Sequence, residues 1–157
     1  MIPVYAQDPL PTETVKSIFL AGPTPRNESV QSWRPHALQA LKSMGYDGYV
    51  FIPEPADGDW GDTDYEAQIV WEEAALDQAG CILFWLPRNM ESLPGLTTND
   101  EWGTWKRSGK VVFGAPHYAE KVRYQRYYAN KYQVPGGNSL IETLTAAMEM
   151  VRLRCQQ

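Results

Sequence analysis

Cys81-Ile-Leu-Phe-Trp-Leu86 and, one short loop later, Leu93-Pro-Gly-Leu-Thr-Thr-Asn-Asp-Glu-Trp-Gly-Thr-Trp105 form the stretch from which the rest of the chain is read. The first piece is wholly apolar, as in a strand buried on both faces. The second opens a helix: Thr98-Asn-Asp-Glu101 has the S/T-x-x-E spacing of a capping box, with Thr98 as N-cap and Glu101 at N3. Two readings of Glu101 stand side by side. As half of a capping box it only bonds back to the Thr98 amide. Alternatively it is a nucleophile beside the carboxyl end of a strand. Gly103, which costs about 1 kcal/mol against alanine inside a helix, then marks a close approach. The helix dipole would keep the acid ionised, as an attacking carboxylate must be.

Working outward, Ser17-Ile-Phe-Leu-Ala21, closed by Gly22-Pro23, and Tyr49-Val-Phe-Ile52, closed by Pro53, read as two further buried strands. Lys110-Val-Val-Phe-Gly114 is a fourth. Helices are predicted over 30–44, 65–78, 117–132 and 139–154. The first carries Val30, Trp33, Ala37, Leu38 and Leu41 on its apolar stripe, and the last opens with a second capping box, Ser139-x-x-Glu142. Residues 1–16, with Pro3, Pro9 and Pro11, read as an irregular arm, and Val134–Asn138 as a turn. Residues 53–63 make a Pro-, Gly- and Asp-rich loop long enough to suggest function. Strands alternating with amphipathic helices predict a parallel sheet covered on both faces, as one domain over 1–157. Ligands of such sheets sit beyond the carboxyl ends of the strands, where strand order reverses. Gly22-Pro23, Glu54 and the 93–105 stretch all fall there.

The net charge of -5 and pI near 5.0 argue against a dedicated nucleic-acid binder. No apolar run is long enough for a membrane span, and the N-terminus lacks a secretory pattern. Cys81 reads as a buried free thiol far from Cys155, which suits a reducing compartment and a cytoplasmic protein. There is no G-x-G-x-x-G, no P-loop and no G-x-S-x-G. His36 reads as structural and His117 as a loop residue; neither has Cys or acid companions at ligand spacing, so neither metal nor cofactor is expected.

Carboxylates remain. In the helix over 65–78, Glu72 and Glu73 lie three and four residues after Ile69, flanking the line from Ile69 to Leu76. They are either a solvated helix edge or acids at a pocket wall, where burial raises a pKa and suits it to proton donation. Paired carboxyls, one ionised and one protonated, are what glycosyl transfer requires.

With those residues in hand, the chain resembles the nucleoside 2-deoxyribosyltransferase family. The likeness runs through Ile18-Phe-Leu-Ala-Gly-Pro23, Val50-Phe-Ile-Pro-Glu-Pro55, Trp71-Glu-Glu, Cys81-Ile-Leu-Phe-Trp85 and Thr97-Thr-Asn-Asp-Glu-Trp-Gly103. It implies a flavodoxin/Rossmann-like three-layer sandwich with a four- or five-stranded parallel sheet, and Glu101 as nucleophile. Glu72 would hold substrate and leaving base, with Glu in place of the commoner Asp. Gly22 and Pro23 would line the sugar, Glu54 would read the base, and Trp71, Thr98 and Asn99 would complete the substrate site. Substrates would be deoxynucleosides and nucleobases, handled by a homo-oligomer built from dimers, up to a hexamer. In relatives a neighbour's C-terminus, here ending at Gln157, completes each pocket. The chain departs from the family in one place: an aspartate several residues before the nucleophile is missing near Gly95, and Asp100 does not replace it. The first reading is therefore 2-deoxyribosyl exchange between bases through a glycosyl-enzyme. The second is N-glycoside hydrolysis of a nucleoside or its 5'-monophosphate, with Thr24 and Arg26 as phosphate donors. The third is a non-catalytic nucleotide-sensing module.

Overall fold

Every residue of Ser17–Ala21, Cys81–Trp85 and Val111–Gly114 is buried, the pattern of strands covered on both faces. The computed structural model describes residues 1–25, 29–61 and 64–156. In chain order the elements are β1 (Ile2–Tyr5), β2 (Ser17–Ala21), α1 (Arg34–Ser43), β3 (Tyr49–Ile52), α2 (Tyr65–Gln78) and β4 (Cys81–Trp85). Then follow α3 (Leu96–Trp105), β5 (Val111–Gly114), α4 (Arg123–Lys131), β6 (Gly136–Gly137) and α5 (Leu140–Arg154). The sheet is parallel throughout, in the order β1-β3-β2-β4-β5-β6. Without β1 this is the flavodoxin-like winding, and the order reverses between β2 and β4.

Residues alternate along each strand between two cores. Phe19, Ala21, Ile82 and Phe84 pack with Trp71, Ala75, Trp102 and Ala129 of α2, α3 and α4. Ile18, Leu20, Leu83 and Trp85 pack with Ala37 and Leu41 of α1 and Leu144 and Val151 of α5. The three-layer sandwich is therefore as expected. Cys81 is a buried free thiol in the second core, and Cys155 is exposed and free.

The sheet has six strands, not four or five, because two of them carry weak local signals. β1 lies inside the arm read as irregular. Its N–H groups at Ile2 and, just beyond it, Ala6 reach the carbonyls of Gly48 (2.9 Å) and Glu54 (3.1 Å). The Tyr5 N–H instead turns outward to the Asp8 carboxylate at 2.9 Å. β6 is only a pair of glycines within the expected turn, and a Cβ at Gly136 would run into the Phe113 backbone.

Helix starts also differ. α1 begins at Arg34, not 30, with Pro35 in its first turn. α4 begins at Arg123, not 117. Lys110 stops short of β5: it is buried, and its Nζ donates to the carbonyls of Leu76 (2.8 Å) and Asp77 (2.7 Å) near the end of α2. The α5 capping box forms, with Ser139 and Glu142 bonded reciprocally. Among the described residues no helix is long and apolar enough to cross a membrane.

Trp71 is buried, and its Nε1–H donates to the Asp8 carbonyl at 2.8 Å, tying the arm to α2. Trp71→Phe keeps most of the buried area and deletes that bond. It should lower stability by about 1 kcal/mol in urea melts. It should also speed proteolysis within residues 1–16 more than elsewhere; uniform cleavage would show that the bond does not hold the arm.

Candidate active site

The start of α3 decides where Glu101 points. Gly95 is the N-cap in the left-handed region (φ 59°) and makes no side-chain cap bond, so the helix begins at Leu96. The capping box at Thr98 therefore does not form. Thr98 is buried in the first turn and Glu101 lies in the second, away from the strongest part of the dipole. The close approach expected at Gly103 is also absent: that position faces open space. What acts on Glu101 is instead what surrounds it.

Glu101 is half-buried on a cleft of about 350 Å³ at the reversal point of the sheet. The floor is Ala21, the last residue of β2, with Gly22 just after it and Pro53 after β3; the walls are α2, through Gln68 and Glu72, and the segment Pro94–Thr98. Gly22 is required at the floor. Any Cβ there would collide with the Trp85 carbonyl and lie 2.8 Å from the Trp33 ring, so only glycine lets these chains meet.

The two acids face one field. Burial pushes the Glu101 carboxyl up to about 8, the Glu72 charge and then that of Asp100 add to this, and Arg34 opposes it. Glu72 is raised as well, by burial, against a 2.7 Å hydrogen bond from Gln68 Nε2 and the pull of Arg34. Glu101 therefore keeps its proton near neutral pH, and the raised Glu72 beside it opposes a second negative charge on the cleft. This reverses the expectation of an ionised Glu101 held by the helix dipole.

Arg34 was overlooked in the sequence. Its side chain is 1% exposed. Nε donates to the Leu20 carbonyl (3.0 Å), Nη2 to the Gly22 carbonyl (2.8 Å), and Nη1 to Thr24 Oγ1 (3.2 Å) and Glu54 Oε1. The guanidinium also lies 4.9 Å from the Trp33 ring centre. The available signal was periodic: Arg34 shares the α1 stripe with Ala37 and Leu41, so a charge fell on a buried face. The exposed aromatic part of the wall, Trp60 and Tyr65, was also missed; Trp60 lies in the long loop.

Of the residues expected to form the site, the structure brings Glu101, Glu72, Gly22 and Thr98 together around the cleft, with Thr24 beside them. Pro23 lies behind Gly95 and accepts the Trp33 indole N–H at 3.2 Å. Glu54 does not line the cleft: Arg34 and Ser32 hold its Oε1. Trp71 is in the core, and Asn99 faces away, towards Arg88 and Gln125. Glu73 is exposed, as the solvated-edge reading had it, and His36 and His117 are exposed too. Arg26 and Gln157 lie outside the described residues.

A family model described as "Nucleoside 2-deoxyribosyltransferase like" matches residues 15–119, a span that includes Gly22, Arg34, Glu72 and Glu101. Among curated proteins none matches.

A carboxyl whose folded pKa is about 8 against an ordinary 4.5 stabilises the fold fully below about 4.5 and loses that contribution as pH rises towards 8. Glu101→Gln has no such loss. Its stability should match wild type near pH 5 and exceed it at pH 8 by a few kcal/mol in order of magnitude. Parallel melting-versus-pH curves for the two proteins would contradict a buried, charge-crowded Glu101.

Proposed function

The chain belongs to the nucleoside 2-deoxyribosyltransferase-like family, and from that premise we propose that it moves a 2-deoxyribosyl group from one nucleobase to another. The observation that carries this reading is the Glu101–Glu72 pair, two carboxyls raised together on one cleft. Retaining glycosyl transfer needs two carboxyls and one proton between them.

In the reactive form the proton has passed from Glu101 to Glu72. The Glu101 carboxylate attacks C1' of the deoxynucleoside, the N-glycosidic bond breaks, and its electron pair leaves with the base. Glu72 protonates that base. A second base then attacks C1', the Glu101 ester bond breaks to restore the carboxylate, and the proton shed by the incoming base returns to Glu72. Two inversions give net retention. Gly22 would lie under the sugar on the cleft floor, and Trp60 and Tyr65 offer planar faces to the base. Gln68 holds Glu72 in place. We take the working form to be a cytoplasmic homo-oligomer acting on small deoxynucleosides and free bases.

Incubation of a deoxynucleoside with and without a second base tests this directly. Exchange should far outpace hydrolysis when acceptor is present, and exhaustive chelation should leave the rate unchanged, since the two carboxyls suffice. Release of sugar at a rate indifferent to acceptor makes the protein an N-glycoside hydrolase; no turnover with either leaves a binding module. Glu101→Ala should lower exchange by several orders of magnitude, whereas Thr98→Ala should cost stability more than rate. A slow 2-fluoro-2-deoxy nucleoside should label the peptide containing Glu101. A label on the Glu72–Glu73 peptide would exchange the two roles.

The pH profile supplies an independent check. The reactive form carries one proton on the pair, so kcat/KM should decline above about pH 8, where that proton is lost. A rate that continues to rise beyond about pH 9 would mean that no proton on the pair is used.

A further inference from the structure

A carboxyl that delivers a proton must carry it on the oxygen that faces the acceptor. Glu72 has two oxygens, and their surroundings differ. Gln68 lies one turn earlier on α2, four residues away, so the two side chains share a face. Its Nε2–H donates to Glu72 Oε1 at 2.7 Å. Glu72 Oε2 has no partner among the described residues, yet it is not one of the buried orphan atoms there, so it opens on the cleft that Glu72 lines. One oxygen is tethered and the other is free.

The chemistry of an acid then decides where the proton sits. A protonated carboxyl has one O–H donor and one carbonyl acceptor. An amide N–H aimed at Oε1 needs an acceptor there, since two donors facing each other repel. Oε1 is therefore the carbonyl oxygen of the acid form, and Oε2 is the hydroxyl. The tether also survives ionisation, because Oε1 accepts from Nε2 in either state.

Stability does not account for Gln68. Its side chain is 3% exposed, and its Oε1 is buried without a partner among the described residues. A half-satisfied buried amide is unfavourable, and methionine would fill similar space with no such polar group to leave unmet. Native chains keep such groups mainly where a site uses them. The charges around Glu72 cannot choose between its oxygens. Arg34 of α1 favours the carboxylate and Glu101 of α3 the acid, but neither bonds to Glu72, and Tyr65 is the other titratable side chain on the cleft.

We propose that Gln68 is the positioning residue that assigns the Glu72 proton to Oε2, the oxygen open to the leaving base. Its use in turnover rests on the glycosyl-transfer reading. As the N-glycosidic bond breaks and its electron pair leaves with the base, the Oε2–H bond breaks too and the base takes that proton. Glu72 is left a carboxylate, still held at Oε1. The proton shed by the incoming base returns to Oε2.

The test pairs NMR of the unliganded protein with kinetics. The Gln68 side-chain amide is assigned through its own backbone, and the Glu72 carboxyl carbon by its loss in Glu72→Gln. Across the Glu72 titration in wild type, one Gln68 Nε2 proton should stay downfield, since its acceptor remains. In Gln68→Met the Glu72 carboxyl should titrate at higher pH, because the donor that stabilised the anion is gone. The same variant should exchange bases with kcat lowered about tenfold or more and KM nearly unchanged, and the alkaline limb of its pH profile should move up. Collapse of the downfield signal as Glu72 protonates overturns the proposal, because the amide has then turned over and Oε1 holds the proton. So does an unmoved Glu72 titration in Gln68→Met, or a kcat equal to that of wild type. A wild type that exchanges no bases removes the glycosyl-transfer reading instead, and the two NMR results still decide which oxygen carries the proton.

Discussion

The buried guanidinium of Arg34 is the constraint on which the cleft beside Glu101 depends. Removing an arginine from water costs several kcal/mol unless its donors are met. Here two backbone carbonyls beyond or within β2, a threonine hydroxyl and a carboxylate meet them, and an indole face lies alongside. The first turn of α1 is thereby fastened to the ends of β2 and β3. Because Leu20 and Gly22 contribute main-chain oxygens, the floor of the cleft is set by backbone rather than by mobile side chains. Glu54, which looked from its position like a base-reading residue, serves instead as the counter-ion that permits this arrangement.

The same cation tunes the acids. Both Glu101 and Glu72 are pushed up by burial and pulled down by Arg34, which limits how far either carboxyl rises. Helix α3 then acts as a partition: Glu101 looks into one cleft and, two residues earlier, Asn99 looks into another. Two positions in a helix differ by about 200° of rotation, so neighbours in sequence serve opposite faces.

Elements built from local pattern were legible. The bounds of α2 and of β2 and β3 are those read from the apolar runs and their flanking prolines and glycines, and Asp64 supplies the α2 cap. Misreadings arose where a local pattern competed with a stronger neighbour. Thr98-x-x-Glu101 has capping-box spacing, but Gly95, just after Pro94, takes the left-handed conformation and starts the helix sooner. Prolines hid β1 because they are rare in central strands, whereas β1 is an edge. Arg34 was visible as a charge on an apolar stripe. The coupling of the two acids was not, since Glu72 and Glu101 meet only in three dimensions, and neither was the outward course of Asn99.

The edges of the sheet carry a consequence for self-association. On the outer side of β1, Pro3 has no N–H, and the Tyr5 N–H is already given to the Asp8 carboxylate. At the other margin β6 is two residues long and made of glycine alone. Neither margin offers an incoming strand a usable row of donors, so the sheet is closed to growth by strand addition. The chain is thus guarded against the edge-to-edge stacking that seeds fibrils. The N-terminal arm, through Pro3 and the Tyr5–Asp8 bond, is the guard on one side.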